Sequence, residues 1–150
     1  MIADGLDLAT QRDREPSPER RSPARAPDLR VLPGTPESVG VARQFAREML
    51  GDSSSTQTVM LLVSELVTNA IVHSRSGEPG GTVTVTLCPT PGAVLIQVRD
   101  DGGPSRPRLS ARPDGQAEHG YGLLLVDTLA ESWATISSPG GQLTWCKVSR

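Results

Sequence analysis

One segment constrains the fold more than any other. Across residues 56–73, Val59, Met60, Val63, Leu66, Val67, Ala70 and Ile71 recur at helical spacing. An α-helix turns about 100° per residue, so these side chains share one arc, the arc that faces a core. Glu65, Asn69 and His73 are spaced four apart and line an adjoining stripe roughly 80° wide. Leu62 falls inside that stripe. A stripe facing open water rarely carries a leucine among its polar groups, whereas one lining a half-enclosed pocket can. Periodicity alone leaves both readings open. In either case the apolar arc has to be buried against a second layer.

That second layer is written downstream. Residues 82–87 and 93–98 alternate apolar with polar, and Pro89 to Gly92 between them make a hairpin. Residues 133–138 and 142–148 make another around Pro139-Gly140-Gly141. Upstream, residues 29–32 form a short edge strand ended by Pro33-Gly34. A helix over residues 36–50 follows, with Thr35 as N-cap, Pro36 at its first position and Gly51 as C-cap. A last helix covers residues 123–129. The order is strand, two helices, two strands, loop, helix, two strands. It predicts an α+β two-layer sandwich with helices on one face of a mixed, mainly antiparallel sheet. Aromatic residues are only 3% of the chain, so its core has to be built from Leu, Val, Ile and Ala.

Residues 1–28 read as a disordered tail and 29–150 as a single folded domain. The stretch from Arg12 to Pro23 is charged, proline-rich and poor in apolar groups, so it cannot offset its ordering entropy. The formal charge of −2 argues against a general nucleic-acid binder. No uninterrupted apolar run suggests a membrane span, and Asp4, Asp7, Arg12, Asp13 and Arg14 break up any signal-peptide core. A cytoplasmic location is the expectation, with Cys88 and Cys146 as free, small apolar residues of strands. Lys147 is the only lysine, so no phosphate-binding loop of the Walker type exists.

Three short pieces carry chemistry. In the helix, Asn69 offers an uncharged oxygen to a hard cation such as Mg²⁺, and Glu65, one turn away, can take a proton from a hydroxyl. His73 is suited to a hydrogen bond at the helix end or to the stripe's chemistry. At the end of the second strand stands Arg99-Asp100-Asp101-Gly102-Gly103-Pro104. A buried carboxylate there can accept from the exocyclic amine of adenine, and Gly102 lets backbone approach the base; a plain turn has the same composition. Third, His119-Gly120-Tyr121-Gly122-Leu123 runs into a helix whose free N–H groups favour phosphate. Arg106, Arg108 and Arg112 sit between the last two pieces, on a stretch with the composition of a lid.

Together these pieces resemble the histidine-kinase-like ATPase superfamily, which includes the gyrases and the histidine kinases. Glu65-Leu66-Val67-Thr68-Asn69-Ala70 matches its N-box, Asp100-Asp101-Gly102 its first glycine box, and Gly120-Tyr121-Gly122-Leu123 its second. Within that superfamily the chain looks most like the bacterial anti-sigma-factor serine/threonine kinases. The phrase Ser64-Glu65-Leu66-Val67-Thr68-Asn69-Ala70 carries that likeness, as does Gly122-Leu123-Leu124-Leu125-Val126-Asp127 with Trp133 beyond it.

The resemblance implies a Bergerat ATP-binding fold with ATP and Mg²⁺ as cofactors. Asn69 would be the metal ligand and Glu65 the general base. Asp100 and Gly102 would bind adenine, and Gly120, Gly122 and Leu123 would complete the nucleotide site. It further implies two protein partners, a sigma factor and an anti-sigma antagonist that accepts phosphate, and a homodimer. The chain departs from the family at Pro104, where the first glycine box often ends in glycine. Two functions therefore compete: a protein serine/threonine kinase, and a nucleotide-gated binding protein with little or no transfer.

Overall fold

The structure, a computed structural model, describes residues 25–103 and 121–150, Tyr121 and Gly122 by their backbone alone. The elements follow as β1 (Asp28–Pro33), α1 (Glu37–Leu50), α2 (Ser54–His73), β2 (Thr82–Thr90), β3 (Ala93–Asp100), α3 (Tyr121–Leu129), β4 (Ser132–Ser138) and β5 (Gly141–Ser149). A short 3₁₀ turn, Arg75–Gly77, follows α2. The strands lie in the order β1-β2-β3-β5-β4. Every pairing among them is antiparallel, so the sheet expected to be mixed is wholly antiparallel over the described residues. Most of the tail expected over residues 1–28 lies outside the described residues, and β1 begins at Asp28, the last residue assigned to that tail.

Helix α2 organises the core. It packs on β2, β3 and β5 and touches α1 and α3. Val59, Leu62, Val63 and Val67 are fully buried there, against Val83, Val85, Leu87, Val94 and Ile96 of the sheet. Leu62 is therefore core, and the apolar arc is wide enough to reach into the polar stripe. By length and composition alone, α2 would also suit a bilayer. Its packing against the sheet makes it the central helix of this fold instead.

The helix ends show which local signals hold. At α2 the Ser53 hydroxyl accepts from the Thr56 N–H at 3.2 Å. At α1 the expected Thr35 cap does not form. Pro36 takes the N-cap position already in helical geometry, φ −54° and ψ −33°, and no side chain caps the helix. Proline's ring fixes that φ, so the turn begins one residue early, and the Ser38 N–H donates to the Thr35 carbonyl at 3.0 Å. The Ser38 hydroxyl bonds the Pro33 carbonyl and ties the helix start to β1. Gly51 ends α1 as expected, with φ 76° and its N–H on the Arg47 carbonyl at 2.9 Å.

The first hairpin is tighter than its composition suggests. β2 continues through Pro89, which stands opposite Val94, and Thr90, so Pro91 and Gly92 alone make the turn. Proline is tolerated there because β1 pairs no further along β2 than Leu87, so Pro89 lacks an N–H where no partner strand needs one.

Candidate functional site

A pocket opens between α2 and the sheet at the C-terminal end of β3. Leu66, Asn69, Ala70 and His73 of α2 line it, together with Val98 and Asp100 of β3, Gln142 and Thr144 of β5, and Leu123 of α3. Asn69 and His73 arrive there because they lie one helical turn apart on the same face. Asp100 arrives because β3 alternates: Val94, Ile96 and Val98 are buried under the helices, and Asp100 is the next residue on that face. The enclosed volume is only about 10 Å³, room for about one water, so a larger ligand has to open the pocket or occupy its mouth.

The charge at this site is set by Asp100. Burial raises its pKa above the ordinary aspartate value, against the pull of the Gly102 and Gln142 N–H groups; the neighbouring Asp101 adds to the rise and Arg99 opposes it. The Gly102 N–H donates to Asp100 Oδ1 at 2.7 Å. Gly102 holds φ +72°, and a β-carbon on it would lie 3.2 Å from the Gly141 Cα. Both the turn and its contact with β5 therefore require glycine. Gly141, at φ +149°, packs in turn on the Asp100 carbonyl with no room for a side chain.

Asn69 shows the clearest sign of an unmet partner. Its Nδ2 is buried and has no hydrogen-bond partner among the described residues. Buried polar atoms are nearly always paired, so an unpaired one facing a pocket fits a site that a ligand completes. The same amide also carries an oxygen, the donor type a Mg²⁺ ion takes.

The residues expected to act together are thus brought together in part. Asn69, Asp100 and Leu123 line one pocket, with Gly102 at its edge. Glu65 is half-buried on α2 one turn before Asn69, but it does not line the pocket. Gly122 lies in the first turn of α3. Gly120, Pro104 and the arginines of the expected lid fall outside the described residues.

Two lining residues escaped the sequence analysis, Gln142 and Thr144. They stand opposite Asp100 and Val98 in the sheet and are nearly buried. The Gln142 side-chain amide donates to the Ser137 hydroxyl at 3.3 Å, and the Thr144 hydroxyl pairs with that of Thr135 at 3.2 Å. A signal was available. On the inner face of β5 these are the two polar residues ahead of Cys146 and Val148.

Comparison with known proteins finds relatives over part of the chain and a family model over most of it. Over 58 residues the chain is 41% identical to an anti-sigma F factor of Geobacillus stearothermophilus, covering 39% of this chain and 40% of that protein. Over 44 residues it is 41% identical to an anti-sigma F factor of Geobacillus kaustophilus (strain HTA426), covering 29% of this chain and 30% of that protein. The match therefore spans less than half the length of these relatives. A solved histidine kinase domain, from the blue-light activated histidine kinase of Erythrobacter litoralis EL346, aligns with a TM-score of 0.48 at 20% identity over 85% of this chain and 69% of that one. The family model described as the histidine kinase-like ATPase domain matches residues 32–147, nearly the whole folded region. On that match, the chain belongs to the histidine kinase-like ATPase family.

Proposed function

We propose that this protein binds Mg²⁺-ATP in the pocket between α2, β3 and β5 and acts in the cytoplasm as an anti-sigma-factor-type protein serine/threonine kinase. It would sequester a sigma factor and phosphorylate an anti-sigma antagonist, working as a homodimer. The observation that carries this reading is the meeting of an unsatisfied buried amide, Asn69, with a half-buried carboxylate, Asp100, in one pocket of a chain from an ATPase family. The anti-sigma F factor relatives supply the regulatory context. Leu29, Val31 and Ile136 are large apolar residues left exposed on strands, which supports protein contact on the sheet.

The roles of the chain's own residues follow from chemistry. Asp100 accepts from the adenine amine, and Gly102 keeps side-chain bulk away from the base. Asn69 Oδ1 is the metal-ligand candidate; bound Mg²⁺ would neutralise phosphate charge. Glu65 accepts the proton of the substrate hydroxyl as that oxygen bonds the γ-phosphorus and the bond to the departing ADP oxygen breaks.

Calorimetry with ATP and ADP, with and without Mg²⁺, tests the site. Asp100→Asn should lose both nucleotides, and Asn69→Ala should lose mainly the Mg²⁺-dependent part. Wild-type protein that binds neither nucleotide would remove the proposal. A second reading, a nucleotide-gated binding protein with little transfer, is favoured by the position of Glu65 off the pocket lining. Phosphotransfer to the cognate antagonist separates the two: Glu65→Gln should keep ATP affinity and abolish transfer, and unchanged transfer would mean that Glu65 is not the base.

A further inference from the structure

Among the elements that line the pocket, α2 brings Asn69 and the end of β3 brings Asp100, and something has to fix one against the other. A chain of hydrogen bonds outside the pocket does so. It starts at Ala70, a pocket-lining residue, whose carbonyl accepts from the Ser74 hydroxyl at 2.6 Å. The Ser74 oxygen accepts in turn from the Ser76 N–H at 3.0 Å. The Ser76 hydroxyl oxygen, fully buried, accepts from the Asp101 N–H at 2.9 Å. Asp101 Oδ2 accepts from the Thr82 N–H at 2.9 Å, at the start of β2. Beside these, the Arg75 N–H donates to the Gly102 carbonyl at 2.7 Å.

The residue following Asp100 is thus held on both sides, through its amide by the 3₁₀ turn that follows α2 and through its carboxylate by β2. Ser76 is itself immobilised: Gly34 and Gly81 press backbone against its carbonyl so closely that neither could carry a side chain. No link in this clamp between Ser76 and Thr82 lines the pocket, yet every link bears on where Asp100 points.

We infer that Ser76 and Asp101 are positioning residues, a clamp that sets the Asp100 carboxylate against α2 and so fixes the adenine end of the nucleotide site. The inference rests on the proposed nucleotide pocket and adds to it a selective effect. The clamp acts on the base-binding turn and not on the phosphate end, so loosening it should weaken adenine recognition and leave polyphosphate binding unaffected. Asp101 does this through one carboxylate oxygen that accepts a backbone N–H, a bond the amide oxygen of asparagine can also accept, though more weakly than a charged carboxylate. Asparagine can therefore replace it in part.

The test uses the full chain with Ser76→Ala, Asp101→Ala and Asp101→Asn, at a temperature where urea titration shows each to be folded. Calorimetry measures ADP and, separately, magnesium tripolyphosphate. Loss of one hydrogen bond of the clamp should weaken ADP binding roughly tenfold in Ser76→Ala and Asp101→Ala. Tripolyphosphate affinity should hold, and Asp101→Asn should restore part of the ADP affinity that Asp101→Ala loses. Ser76 is buried and Asp101 exposed, so if Ser76→Ala does not fold, the pair of Asp101 variants decides the matter alone. ADP affinity retained in folded Asp101→Ala, or equal losses for ADP and tripolyphosphate, would overturn the clamp. Amide hydrogen exchange on the ligand-free protein gives an independent arm, in which the Gly102 N–H should exchange faster in Asp101→Ala and return toward wild type in Asp101→Asn. Wild type that fails to bind ADP removes the nucleotide reading itself. Unchanged Gly102 exchange in Asp101→Ala removes the clamp whether or not nucleotide binds.

Discussion

Burial lifts the pKa of Asp100 while two backbone N–H groups pull it down, and burial wins. The folded state therefore binds this proton more tightly than the unfolded chain. The sign of the linkage follows: the contribution of Asp100 to stability is fully present below its unfolded-state pKa and is lost as pH rises through its raised folded pKa. Ligand binding runs the other way, because an ionised carboxylate accepts the stronger hydrogen bond. Nucleotide affinity should fall as pH drops from neutral into the upper carboxylate range, with a midpoint above that of an ordinary aspartate. A pH series by calorimetry would show it, and a midpoint at the ordinary value would place Asp100 in water. Gly102→Ala should cost about 1–2 kcal/mol in urea unfolding, since an L-residue has to hold a left-handed φ there. Gly103→Ala should cost less, because its β-carbon would meet only ordinary contacts, the nearest at 3.6 Å. Asn69, Asp100 and Gly102 could be picked out from sequence because each sits in a run of neighbours that carries its own pattern. Gln142 and Thr144 show in sequence only as polar residues on an otherwise apolar strand face; their place at the site comes from cross-strand register with Asp100 and Val98, and a single strand does not announce its partner.

Helix α2 separates side chains that look alike in sequence. Leu61 and Leu62 are adjacent, yet Leu61 is 40% exposed and Leu62 fully buried. Leu62→Ala should destabilise the fold by about 2–5 kcal/mol, and Leu61→Ala by no more than about 0.5 kcal/mol, measured by urea denaturation. Near-equal values would mean that the helix is rotated from the orientation described. The two helix starts provide a second contrast. Ser53→Ala removes a side-chain cap and should cost about 1 kcal/mol, whereas Thr35→Ala removes none and should cost clearly less. The helices themselves were readable from apolar spacing, because packing one face against a sheet demands that spacing. The cap at α1 was misread because Thr35-Pro36 fits two geometries, and the proline's own φ decided between them. Leu62 was placed in the polar stripe by angle alone, which ignores how deeply a central helix sinks between its neighbours.

At the scale of the molecule, the two hairpins give the pairs β2-β3 and β4-β5, but nothing local says which strand of the second pair meets β3. Burial decides it. β5 alternates buried with half-buried residues along most of its length, while β4 has no buried residue, so β5 is inserted beside β3 and β4 becomes the edge. That insertion puts Gln142 and Thr144 into the pocket and carries Cys146 into the core. The Cys146 thiol has no exposed surface and burial pushes its pKa up to about 12, so it is almost wholly protonated at neutral pH. Cys88 is half-buried on β2, between the buried Leu87 and Pro89 and so on the opposite face of the sheet. A thiol reagent should therefore label Cys88 in the native protein and Cys146 only through global opening. If Mg²⁺-ATP binds the folded state alone, a concentration a hundred times its Kd should slow Cys146 labelling about a hundredfold, because opening then works against the binding free energy. Cys88, which needs no global opening, should keep its rate. Protection of both thiols alike would mean that nucleotide acts on local access to the sheet, and protection of neither would mean that the ligand gains nothing from the fold.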